Sequence, residues 1–159
     1  MPILIPVMSA ELQAVYVYYI RSKSCRVLIK KYYIVLHRDN QDQLTERVMQ
    51  KIMAESRING EFCPDQGIVN LFTNDLPQAL IYQNLDSFGV AFLFSNSDQD
   101  NKIAASLTLQ EVTSHMLSVV RASSLERFIS QPEDIYTILD TYIPNGQIII
   151  ANGQVYRGF

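Results

Sequence analysis

The sequence predicts an α/β fold, an α+β sandwich in which a five-stranded antiparallel sheet is flanked by helices in the order ββαβββαα. Three observations point to it. Runs of β-branched and aromatic residues alternate faces in the opening third of the chain. Short polar turns join neighbouring β-type runs, as hairpins require. The apolar spacing then switches to a helical period in the middle of the chain and again near its end. With 159 residues, 48% of them hydrophobic, the chain has enough apolar surface for one core. The expected organisation is an extended arm over residues 1–10, a single domain over 11–151 and a tail over 152–159.

The first eight residues are apolar, contain two prolines and no basic residue, and are too short for a signal-peptide core with its cleavage site. From Glu11 to Ile20, Val15, Val17 and Tyr19 face one way and Ala14, Tyr16, Tyr18 and Ile20 the other, which predicts a strand covered on both faces. Cys25 to Tyr33 resumes the β pattern after a short polar stretch, so the opening is a hairpin. Leu44, Val48 and Ile52 with Met49 and Met53 predict a helix over 41–55, with Asn40 and Gln43 in a capping arrangement. Ile68 to Thr73, Ala79 to Gln83 and Phe88 to Phe94 read as a three-strand meander, separated at Asn74 to Pro77 and at Asp86-Ser87. Ile103, Leu107, Val112, Met116 and Val119 give the broad apolar face of a long helix opening at Asp100. A further helical stretch begins near Ser124 and is reset by Pro132, with Glu133 and Asp134 in the new first turn. It continues through Ile135, Leu139 and Tyr142 and stops at Pro144 to Gly146, before a short β-like run from Gln147 to Ala151.

The composition excludes several functions. A net charge of −3 argues against nucleic acid as a ligand, because neutralising phosphates demands a basic face. Neither GxGxxG nor GxxxxGK[ST] occurs, and the six glycines are scattered, so no phosphate-cradling loop is indicated. His37 and His115 sit beside no nucleophile motif, and no GxSxG is present. Cys25 and Cys63, far apart and outside any CxxC, suggest reduced thiols, neither a disulfide nor a zinc site. No catalytic residue, cofactor or metal is expected. No run approaches the length of a membrane span, since Arg21, Lys23 and Arg26 interrupt the first candidate, so membrane association is expected to be peripheral.

One charge feature stands out in this acidic chain: Arg21, Lys23, Arg26, Lys30 and Lys31, interleaved with Val27, Leu28, Tyr32 and Tyr33. It reads either as a solvated hairpin whose charges discourage edge pairing, or as an electropositive edge that meets an acidic partner or anionic lipid. Low overall charge suggests that part of the surface is covered by a partner, for which any exposed members of Tyr16, Tyr18, Tyr19, Tyr32 and Tyr33 are candidate anchors.

Several stretches resemble coatomer zeta subunits. Val27-Leu28-Ile29-Lys30-Lys31-Tyr32-Tyr33 is similar to their second strand, and Ile81 to Phe88 followed by Val90 to Phe94 to the strands before their long helix. Ile135 to Asp140 followed by Ile143 to Ile149 is similar to their closing helix, glycine turn and short strand. The sigma subunits of clathrin adaptors share the layout, but Phe128 to Glu133 departs from their helix start, which favours zeta. Glu61 to Asp65 and the apolar arm fit neither. The resemblance covers Glu11 to about Val155. It implies a longin-like fold and a non-catalytic role, with a large solenoid coat subunit and other coat subunits as partners. It also implies a cytoplasmic protein peripherally associated with Golgi or vesicle membranes. A longin-like subunit of a tethering or nucleotide-exchange complex would share the fold, and a small-ligand sensor or unrecognised enzyme would instead need a pocket with convergent polar groups.

Overall fold

The computed structural model describes residues 8–21, 24–55, 57–58, 61–62, 66–73, 76–85, 88–95, 100–122, 124–144, 147–151 and 154–155. The chain divides into two compact units, one spanning Gln13–Ser97 and the other combining Met1–Leu12 with Asp98–Phe159.

The first unit holds the predicted five-stranded antiparallel sheet. Its elements are β2 (Ala14–Arg21), β3 (Ser24–Tyr32), α1 (Arg38–Glu55), the two-residue strands β4 (Arg57–Ile58) and β5 (Glu61–Phe62), β6 (Gln66–Thr73), β7 (Leu76–Asn84) and β8 (Phe88–Ser95). The strand order is β3-β2-β8-β7-β6, so the opening hairpin and the meander join through β2 and β8. The alternation in β2 holds: Val15 and Val17 are buried on one face, and Ala14, Tyr16 and Tyr18 on the other. The second of these faces meets α1, whose Leu44, Val48, Met49 and Ile52 form one cluster with Tyr16, Tyr18, Leu80, Tyr82, Ala91 and Leu93. Burying such side chains contributes about 1.5–3 kcal/mol each. The opposite face carries Ile81, Val90, Phe92 and Phe94, all buried.

Two tight approaches fix the cross-strand packing. A Cβ at Gly89 would lie 2.5 Å from the Tyr18 ring, and one at Gly67 would lie 2.5 Å from the Tyr82 hydroxyl. Each glycine therefore leaves room for a neighbouring aromatic ring that covers it.

The second unit contains β1 (Met8–Glu11), α2 (Asp100–Ala122), α3 (Leu125–Ser130), α4 (Pro132–Tyr142), β9 (Gln147–Ala151) and β10 (Gln154–Val155). β9 pairs antiparallel with both β1 and β10, and α2 packs on β1, β9, α3 and α4. Ser124 caps α3, its hydroxyl accepting from the Arg127 N–H at 3.1 Å, and Pro132 occupies the first turn of α4 beside Glu133 and Asp134, as the sequence predicts.

Three readings of the sequence need correction. The stretch Glu11 to Ile20 is not one strand: it breaks at Leu12 and Gln13, and Met8–Glu11 leaves the large sheet to pair with β9. Gln13 marks the break, its N–H donating to Leu93 O at 2.8 Å while its carbonyl accepts from the Tyr33 N–H at 2.9 Å. Helix α1 begins three residues before the predicted Gln41, so Asn40 lies inside it. The first turn is anchored by His37, whose Nδ1 accepts from the Asp39 N–H at 3.3 Å and whose carbonyl accepts from the Gln41 N–H at 3.0 Å. The meander strands run longer than predicted, because ladder pairing extends them into polar residues such as Gln66 and Asn84. Of the expected breaks, Asn74-Asp75, Asp86-Ser87 and Asn145-Gly146 lie outside the described residues, as do most of the N-terminal arm and of the tail, while Leu76 and Pro77 open β7.

Candidate partner-docking surface

The basic run falls on the opening hairpin, and a β-bulge decides which cations meet. Val17 pairs with Ile29, but Tyr18 pairs with Val27, so Leu28 is an extra residue on β3. Simple alternation would put Arg26 and Lys30 on one face. The bulge reverses this: Arg26 opposes Tyr19 and Lys31 opposes Val15, on the Val15/Val17 side, whereas Lys30 opposes Tyr16 on the side of α1.

Lys30 accordingly reaches α1, its Nζ 2.7 Å from Asp42 Oδ1, and the ammonium holds the Asp42 carboxyl below its ordinary range. Both side chains are well exposed, so the pair adds little stability. The Lys31 ammonium lies 5.4 Å from the centroid of the Tyr33 ring, two residues along the same face. Arg26 is exposed. Arg21 closes β2 opposite Ser24, and Lys23 lies outside the described residues. Arg26, exposed, and Lys31, half-buried over Tyr33, thus share one side of this edge strand, while Lys30, exposed on the other side, is paired with Asp42.

The tyrosines sort by depth. Tyr16 and Tyr18 are fully buried and serve the core, which removes them as partner anchors; Tyr19, Tyr32 and Tyr33 are half-buried. The Tyr16 hydroxyl donates to Tyr32 OH at 2.9 Å, and the rings meet edge to face at 5.7 Å. Tyr32 OH in turn donates to the Gln41 carbonyl at 3.0 Å and lies 2.7 Å from Thr45 Oγ1, tying β2, β3 and α1 together. Tyr18 donates to Asn84 Oδ1. Burial pushes the Tyr16 and Tyr18 phenols well above the usual tyrosine range and the Cys25 thiol up to about 12. Cys25, half-buried against Met49 with Sγ 3.6 Å from Sδ, is therefore a protonated packing thiol and no nucleophile; Cys63 lies outside the described residues.

The histidines stand apart from one another. His37 is exposed, 3.8 Å from Asp39, and His115 on α2 lies 3.3 Å from Tyr142 OH on α4. Among the described residues no three His, Cys, Asp or Glu side chains gather as a metal would require, and no helix is long and apolar enough to cross a membrane.

A five-stranded antiparallel sheet in the order β3-β2-β8-β7-β6, with one helix between the hairpin and the meander and further helices after it, defines the longin-like class of α/β binding subunits. A family model for the clathrin adaptor complex small chain matches residues 14–155, and the chain belongs to that family. No curated protein matches the chain. Members of the family are small subunits of vesicle coat and adaptor complexes; they are typically non-catalytic and assemble with larger subunits into hetero-oligomers.

Proposed function

We propose that this chain is the small subunit of a coatomer-type coat, a non-catalytic domain that stabilises a large solenoid subunit during transport between the Golgi apparatus and the endoplasmic reticulum. The observation that carries the reading is the family match from Ala14 to Val155. The zeta-like stretches Val27–Tyr33, Ile81–Phe94 and Ile135–Ile149 fall within it and supply the choice of coat. In this reading the domain reaches membranes only through its complex, and its surface, with Arg26 and Lys31 on β3, is its working part.

A second reading, a sigma-like small subunit of a clathrin adaptor that binds cargo signals, draws on the same family match and on the exposed Arg26 beside Lys31 on the edge strand, whose charge suits acidic peptide segments.

The test is purification of the tagged chain from its own cytosol in mild detergent, followed by identification of what remains bound in stoichiometric amount. Coatomer large subunits are the expected result. Adaptor large subunits would move the assignment to the sigma-like reading, and recovery of no large subunit would overturn both. In the same experiment the double charge reversal Arg26→Glu/Lys31→Glu is expected to weaken capture at low salt, and the difference should shrink as salt screens it. Equal capture at every salt concentration would remove this pair from the interface.

A further inference from the structure

The connection from β3 to α1 carries Tyr33, Ile34, Val35 and Leu36, four large apolar residues in a row of which none is fully buried. Surface loops otherwise avoid such runs. This one is pinned at both ends. The Tyr33 N–H donates to the Gln13 carbonyl at 2.9 Å, and Leu36 packs against the core cluster while its carbonyl accepts from Gln41 Nε2 at 3.1 Å. Between the pins, Val35 is 102% exposed, so nothing in the fold covers it. Ile68, Leu107 and Tyr136, the other exposed large apolar side chains among the described residues, are each partly covered. A held loop therefore presents one bare apolar side chain that packing of the chain itself does not use.

We infer that Val35 is an anchor for the large subunit, its side chain filling an apolar hole between helices of that subunit while Arg38 and Asp39 meet opposite charges at the rim. The inference rests on the coat-subunit reading and locates a point of contact within it. Charge and shape select this occupant. Arg38 and Asp39, both exposed and of opposite sign, open α1 directly behind the tip, and Asp42, also exposed, follows within the next turn. An anionic membrane would attract Arg38 but repel both carboxylates, and one valine is too small an apolar group to hold a domain in lipid. A rim of both signs instead calls for fixed groups of opposite sign facing each, which a folded protein surface supplies. A projecting side chain also needs a hole to enter. Stacked helices offer such holes, each framed by several neighbouring side chains, and a solenoid repeats them along its length. Two copies of this chain meeting tip to tip cannot enclose one another, and an extended cargo peptide has no hole to offer.

To test this, the large subunit identified by capture is purified and titrated with the parent chain, Val35→Ser and Val35→Asp at low and at high salt. Because Val35 is exposed, both variants should keep the far-UV dichroism and urea midpoint of the parent. The expected result is a dissociation constant raised roughly tenfold by Val35→Ser and further by Val35→Asp. The Val35→Ser loss should persist at high salt, because it removes apolar contact and no charge. Equal affinity of the parent and Val35→Ser, or a loss that vanishes at high salt, would overturn the inference and leave the coat-subunit reading standing. A parent that retains no large subunit would overturn both. The purified chain is also mixed with phosphatidylserine vesicles and, separately, sedimented by itself over a range of concentrations. Vesicle binding or dimer formation that Val35→Asp abolishes would overturn the inference as well, by giving the tip to a membrane or to a second copy.

Discussion

Tyr32 illustrates how much one hydroxyl can organise. It accepts from Tyr16, donates to the Gln41 carbonyl and sits against Thr45, so its loss leaves the buried Tyr16 phenol without its acceptor. Loss of the Tyr16 hydroxyl removes one donor from a group that retains its other contacts. Tyr32→Phe is therefore expected to cost about 1–3 kcal/mol and Tyr16→Phe about 1 kcal/mol, compared by urea unfolding. The reverse order would show that the Tyr16 phenol finds another partner. The approach of Tyr18 to Gly89 gives a second expectation at this scale. Gly89→Ala places a methyl 2.5 Å from the ring, too close for a ring held between β2 and β8 to tolerate without shifting, and should destabilise by about 1–3 kcal/mol. In a Tyr18→Leu background the added cost of Gly89→Ala should largely vanish; equal costs in both backgrounds would remove the steric explanation.

At the level of elements, α2 places two threonines in apolar surroundings with different outcomes. Thr113 donates to the Leu109 carbonyl at 2.8 Å, whereas the buried Thr108 hydroxyl meets no partner among the described residues. Thr108→Val is accordingly expected to be neutral or to stabilise by about 1 kcal/mol, and Thr113→Val to destabilise by a similar amount, read from urea midpoints at unchanged slope. A strongly destabilised Thr108→Val would mean that a water or a residue beyond the described set satisfies that hydroxyl. Elements governed by local chemistry are the ones legible in the sequence: Ser124 and Pro132 mark the starts of α3 and α4, and alternation gives both faces of β2. What sequence misses depends on distant partners. The break at Leu12 and Gln13 exists because Met8–Glu11 pairs with β9, well over a hundred residues along the chain. The start of α1 is displaced by a histidine acting as an acceptor, a role that ordinary capping preferences do not flag. For the candidate surface, alternation already separates Lys30 from its neighbour Lys31, but the face of Arg26 is not legible, since only the bulge at Leu28 moves it from the side of Lys30 to that of Lys31.

For the molecule as a whole, the half-buried thiol of Cys25 and the buried phenols of Tyr16 and Tyr18 make stability fall at alkaline pH. Each has its folded-state pKa raised by burial, so above the unfolded value the unfolded chain binds fewer protons than the native one and stability falls as pH rises. For Cys25 the window opens at its ordinary value of 9.0 and closes near the folded value of about 12; below 9.0 its contribution is fully present. The tyrosines add to the decline above their ordinary value of 10.0. Urea titrations from neutral pH upward should therefore show a plateau, a shallow loss beginning near pH 9 and a steeper loss above 10. Cys25→Ala should lower the plateau by its lost packing yet remove the decline between pH 9 and 10, because an alanine has no proton to give up. If that variant declines over the same interval as the parent, the thiol is not the group that titrates there and its burial against Met49 is looser than the 3.6 Å sulfur contact indicates.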